Sequence, residues 1–170
     1  TTNFVHGFPF FAVSIALARN GKVIVGVVYD PVKDELFVAE RGKGAYVRGK
    51  RLKVSAEQTV GESLLAAGFS SDPAMLVLNA REVSELALKA RNLRVCGSAA
   101  LHLAYVAAGR LSGFWEHGLN AWDLAAGSLL VEEAGGRVTD MNGNPFDLRV
   151  RNVAASNGLI HDELLAALRD

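Results

Sequence analysis

Apolar positions along the chain fall into two regimes. In the first third they come as short runs broken by turn-forming pairs. Residues 10–19, Phe-Phe-Ala-Val-Ser-Ile-Ala-Leu-Ala-Arg, are rich in β-branched and aromatic side chains and predict a buried strand. Asn20-Gly21 follows, a pair that tolerates positive φ at both positions and marks a tight hairpin. A second strand is predicted from Lys22 to Tyr29, ended by Asp30-Pro31. Leu36–Ala39 predicts a third, and Gly42-Lys43-Gly44 turns into a fourth at Ala45–Val47. Arg48 to Arg51 is a further turn, with Leu52–Val54 pairing back. This half is expected to be an antiparallel meander.

From about residue 60 the spacing changes. A strand at Ser63–Ala67 ends at Gly68, and Pro73–Ala90 has helical spacing, with Leu76, Leu78, Val83, Leu86 and Leu88 as its apolar positions. Leu93–Val95 is a short strand. Ser98 caps a helix from Ala99 to Ala108, closed by Gly109. Leu111–Glu116 is a strand, Trp122–Ala134 a helix closed by Gly135-Gly136, and Arg137–Asp140 a strand before the turn Asn142–Pro145. Val153–Ala155 and Ile160–Leu168 complete the series as strand and helix. Such alternation predicts a layered α/β half. The expected organisation is therefore one continuous domain, with residues 1–60 forming an antiparallel-sheet half and 61–170 an α/β half.

Composition narrows the function classes. The 170 residues are 50% hydrophobic and 21% charged, as in folded globular domains. Lys+Arg and Asp+Glu both number 18, so no global basic field exists to attract nucleic acid or an anionic membrane. Neither is expected as a partner. No run of about 18 apolar residues occurs, and no signal segment opens the chain, so a cytoplasmic location is the expectation. The single cysteine, Cys96, excludes an internal disulfide. The chain starts Thr-Thr-Asn-Phe without Met, which suggests a chain cut inside something ordered.

Several residues have chemical potential. Asp123 stands at a helix start, either as an acid favoured by the helix dipole or as a ligand for a hard divalent cation. Glu116 ends an apolar strand, where open α/β sheets place their ligands; the alternative is an exposed strand-end acid. Gly97-Ser98-Ala99 joins strand to helix and offers backbone N–H groups to an anion, or is a simple capping turn. His6, His102, His117 and His161 share no ligand spacing and are expected to be structural or surface residues. Cys96 is expected to be a small buried apolar residue, and Trp122 a packing anchor.

In order along the chain, these signals resemble one family. Thr1-Thr2-Asn3-Phe4-Val5-His6-Gly7-Phe8-Pro9-Phe10 is similar to the continuation of the inositol monophosphatase motif Asp-Pro-Ile/Leu-Asp-Gly-Thr-Thr-Asn-Phe. Trp122-Asp123-Leu124-Ala125-Ala126-Gly127, followed by Glu133-Ala134-Gly135-Gly136, resembles the family's second signature. Gly97-Ser98-Ala99-Ala100, Glu116, Val27–Pro31 and Gly42–Ala45 also match.

The resemblance implies an alternating α-β-α-β-α sandwich and a homodimer. It also implies a magnesium-dependent, often lithium-sensitive phosphatase of small phosphorylated polyols or sugars. By position Asp123 would bind a magnesium ion and lie near a substrate hydroxyl. Gly97, Ser98 and Ala99 would face the substrate, with Ala99 offering its N–H. Glu116 would accept hydrogen bonds from ring hydroxyls, and Thr1 would orient the attacking water beside the phosphate. The family's other metal ligands, a Gly-Glu-Glu segment and two aspartates, precede the position of Thr1 and are not among these residues. The 170-residue chain is therefore expected to be inactive alone. A broader sugar-phosphate phosphatase, or an inactive interaction module on the same scaffold, are the other readings.

Overall fold

The computed structural model describes residues 1–70 and 72–169. After a short helix α1 (Thr2–Val5), five strands form an antiparallel meander: β1 (Val13–Arg19), β2 (Lys22–Asp30), β3 (Glu35–Glu40), β4 (Gly44–Val47) and β5 (Lys50–Arg51). Asn20 and Gly21 take φ of 52° and 75°, the left-handed pair that matches strand twist, so Arg19 pairs directly with Lys22. The returning strand β5 starts two residues earlier than expected, at Lys50–Arg51, and Leu52 continues the pairing by donating its N–H to the Ala45 carbonyl at 2.8 Å. Arg48 and Gly49 alone make the turn, with φ of 48° and 74°, and pairing resumes at once.

A second sheet has the order β7-β6-β8-β10-β9, from β6 (Leu64–Ala67), β7 (Asn92–Arg94), β8 (Gly113–Glu116), β9 (Arg137–Asp140) and β10 (Val153–Ser156). β7, β6 and β8 are parallel, and β10 runs antiparallel to β8 and β9. Helices α3 (Ala99–Ala107) and α4 (Ala121–Glu133) lie between the sheets. Val28, Phe37, Leu101, Leu103, Phe114, Leu124 and Leu130 are fully buried in that layer. α2 (Pro73–Lys89) and α5 (His161–Ala167) cover the opposite face of the second sheet, over Leu65, Leu86, Trp115, Ile160 and Leu164. The architecture is a layered α/β sandwich.

One expectation about burial fails and another holds only in part. β1 is not a buried strand: Val13, Ile15 and Leu17 are 52%, 62% and 56% exposed. They share one face of an edge strand, and no described element packs on that face. The expected apolar positions of α2 face the sheet only in part: Leu86 is in the core and Val83 packs against it. Leu76 and Leu88 are exposed, while Asn79, Glu82 and Leu86 are buried. The helix presents a polar turn to the sheet because strand ends there offer N–H donors to it.

Candidate active-site cleft

Chain direction brings several element ends to one place. β6 and β8 are parallel, so their carboxyl ends, Gly68-Phe69 and Glu116, open on the same side. The first turns of α3 and α4 begin there too. Together with the segment from Thr1 to Ala12 they line a cleft of about 620 Å³. Thr1, Gly97, Ser98, Ala99, Glu116 and Asp123 all line it. Every candidate site residue from the sequence is therefore in one cleft, across 123 positions of chain.

Each is held by local chemistry. Gly97 has φ of 79°, a left-handed conformation that glycine adopts freely. A Cβ there would also press on the Asn3 amide at 3.2 Å. Ser98 caps α3: its Oγ accepts from the Leu101 N–H at 3.4 Å. The N–H of Ala99 belongs to the first helical turn, where no intrahelical acceptor exists. Asp123 occupies the third position of α4 and accepts the Asn120 N–H on Oδ2 at 2.9 Å. Its Oδ1 accepts no hydrogen bond among the described residues. Two helix starts with free N–H groups, open on one cleft, form a ready anion site.

Glu116 is not an exposed strand-end acid. It is buried at 9% exposure, and burial pushes its carboxyl up to about 7, with the charge of nearby Asp123 adding to the rise. Gly68 makes room for it, since a Cβ on Gly68 would overlap the Glu116 carboxylate. Trp122 is not a packing anchor. It is 72% exposed and lines the cleft wall, because α4 turns Leu124, Ala125 and Ala126 inward instead.

Thr1 lines the cleft, its hydroxyl makes no hydrogen bond among the described residues, and its carbonyl accepts the Val5 N–H at 3.0 Å and so starts α1. Asn3 is the residue that sequence reasoning passed over. Its Nδ2 donates to the carbonyls of Phe10 at 2.6 Å and Cys96 at 2.7 Å, tying the first segment to the Gly97 turn. A lone polar residue near the start of a chain carries no local signal of such a bridge.

The histidines stay out of the cleft lining. His6 is exposed. His102 is packed between Phe10 and Phe114, and burial lowers it to about 4. His161 bonds Thr139 and Ser156, each at 2.9 Å, and is also held near 4 by burial. His117 faces Glu82. Cys96 is half-buried rather than buried. Among the described residues no group of three His, Cys, Asp or Glu side chains is arranged to hold a metal ion. Asp123 fits as one ligand of a hard cation, a carboxylate with a free oxygen at the cleft, but this chain alone does not make a complete metal site.

The sequence model described as the inositol monophosphatase family matches residues 1–170. The chain is 47% identical to "Inositol monophosphatase 3" of Solanum lycopersicum, over 100% of this chain and 65% of that protein. Its fold superposes with a TM-score of 0.95 on a crystal structure of extragenic suppressor protein suhB from Bartonella henselae, at 47% identity, covering 100% of this chain and 66% of that one. The structure of an inositol monophosphatase from Anabaena (Nostoc) gives a TM-score of 0.95 at 44% identity, over 99% and 70%. The chain thus spans about two thirds of the length of these relatives, slightly less for the first two.

Proposed function

This chain belongs to the inositol monophosphatase family, and we propose from it that the full-length protein hydrolyses small phosphate monoesters, with inositol 1-phosphate as the leading substrate. The observation that carries the reading is the single cleft. It joins two helix starts, a free aspartate oxygen, a buried glutamate and a threonine hydroxyl around a volume of about 620 Å³. A phosphate dianion repels hydroxide, so its charge must be neutralised locally. A net charge of zero does not do so here.

In this reading Ala99 and its helix start donate N–H groups to the phosphate oxygens. Ser98 and Gly97 hold the turn that lets the backbone approach the ester. Glu116, itself buried, accepts hydrogen bonds from ring hydroxyls, and such bonds discriminate strongly. Thr1 orients a water for in-line attack on phosphorus, so that the P–O(water) bond forms as the ester P–O bond breaks and the alcohol leaves. Magnesium, when bound, screens the ester charge and lowers the pKa of water. Asp123 is the one ligand in this chain, and it also lies against a substrate hydroxyl. The remaining ligands belong to the part of the family's length that this chain does not span, so the 170 residues alone are inactive in this reading. Lithium sensitivity and a homodimeric state belong to the same reading by family resemblance, and a cytoplasmic location is proposed with it. The division into halves at residues 1–60 and 61–170, read from the hydrophobic pattern, is part of the proposal as well. No helix among the described residues is long and apolar enough to cross a membrane.

The second reading is an interaction module without turnover on the same scaffold. A substrate panel on the full-length protein separates the readings. Inositol 1-phosphate should be turned over faster than fructose 1,6-bisphosphate, adenosine 3′,5′-bisphosphate or histidinol phosphate. A preference for the fructose ester selects the broader sugar phosphatase, and no turnover of any ester selects the interaction module.

A further inference from the structure

Glu82 is an anomaly that the cleft does not explain by itself. It sits mid-helix in α2 at 3% exposure. A buried carboxylate is costly unless hydrogen bonds satisfy it, and a leucine of similar size would pack there without that demand. Glu82 is satisfied by β8. The Trp115 indole N–H donates to Oε2 at 3.0 Å, and His117 Nε2 lies 2.8 Å from Oε1 and 3.0 Å from Oε2.

Trp115 and His117 flank Glu116. Side chains alternate along a strand, so both point to the α2 side while Glu116 points to the cleft. One helical turn earlier Asn79, fully buried, accepts the Ser70 N–H on Oδ1 at 2.9 Å. Ser70 follows Gly68-Phe69, the strand end that packs on Glu116. The Gly68 N–H in turn reaches the Trp115 carbonyl at 3.3 Å. The buried polar turn of α2 thus grips both strand ends that frame the glutamate.

We propose that Glu82, with Asn79 beside it, is a positioning residue that sets Glu116 for ring-hydroxyl recognition from the far face of the sheet. The inference rests on the phosphatase reading above and goes beyond it, because it assigns substrate specificity to a helix that never touches the cleft. Trp115 and His117 are fixed on one carboxyl group, so the backbone between them cannot twist without breaking a buried hydrogen bond. Glu116 therefore keeps its aim although no side chain bonds it directly among the described residues.

The test uses the full-length protein, two esters and amide exchange. Inositol 1-phosphate offers ring hydroxyls to Glu116, and phenyl phosphate offers none. Glu82→Leu keeps a similar-sized side chain but removes both acceptors, so urea unfolding first checks that it folds with Trp115 Nε1 and His117 Nε2 left without their partner; Glu82→Gln, which keeps one acceptor, carries the test if it does not. For Glu82→Leu the KM for inositol 1-phosphate should rise about tenfold or more, while phenyl phosphate kinetics stay within about twofold, as expected for misplacement of a binding group. Glu82→Gln should fall between, a partial rescue. Backbone amides of residues 115–118 should exchange faster in Glu82→Leu. A parallel loss of kcat on both esters, or an unchanged KM for the inositol ester, overturns the positioning role. Unchanged exchange at residues 115–118 overturns the clamp itself. Wild-type protein that turns over neither ester overturns the phosphatase reading and the specificity role with it, and the exchange result then still decides the clamp.

Discussion

Glu116 gives a sharp physical prediction. Its carboxyl rises from 4.5 to about 7, first through burial and then through Asp123. A folded-state value above the unfolded one means that the folded protein binds the proton more tightly. The associated stability is fully present below pH 4.5 and is lost as pH rises through about 7. At about 1.4 kcal/mol per pH unit, holding Glu116 ionised in the fold costs about 3 kcal/mol above that range. His102 and His161 run the other way. Both are held near 4, so they remove stability as pH falls from 6.5 towards 4, and the wild-type profile mixes opposing slopes. A difference measurement isolates the glutamate. Urea unfolding of wild type and Glu116→Gln, in excess chelator, should give nearly equal stabilities at pH 4.5. By pH 8 the variant should be ahead by about 3 kcal/mol. A gap between the two proteins that does not change with pH would refute the assignment of the raised value to Glu116.

Other consequences are simpler to read. Gly68→Ala drives a methyl group into the Glu116 carboxylate, and should lose about 1–3 kcal/mol of stability and raise the KM for inositol 1-phosphate. An unchanged KM and melting temperature would show that the glutamate can step aside. Ser98→Ala removes the cap of α3 and should lose about 1 kcal/mol by urea unfolding. Val13, Ile15 and Leu17 leave an apolar stripe on the 170-residue chain, which should bind a hydrophobic dye and self-associate; Ile15→Lys with Leu17→Lys should reduce both. Equal dye binding after those changes would place the sticky surface elsewhere.

The elements were legible where the chain uses strong local signals. Asn20-Gly21 announced the hairpin because its backbone conformation excludes most residues. Ser98 announced α3, and the alternation after residue 60 announced the layers. The cleft was legible through motif resemblance, since Thr1, Gly97, Glu116 and Asp123 are separated by tens of residues and meet only in the fold. What stayed hidden depends on partners from distant elements. Leucines at helical spacing pointed to an apolar inner face for α2. The actual face is chosen by the Ser70 N–H, the Trp115 indole and His117, none of which is local to α2. Trp122 suggested packing by its residue type, yet α4 buries smaller neighbours and leaves the ring at the cleft. β5 was displaced by two residues because a two-residue turn suffices when both positions accept positive φ.

The central claim is that Asp123 and the two helix starts make one phosphate-hydrolysing cleft. Phosphate release from inositol 1-phosphate, by full-length wild type and Asp123→Asn with magnesium and with excess EDTA, tests it most directly. The account predicts magnesium-dependent turnover by the wild type, its abolition by EDTA, and loss of most activity in a variant that remains folded. Wild-type-like turnover by Asp123→Asn, or turnover undiminished in EDTA, would contradict it.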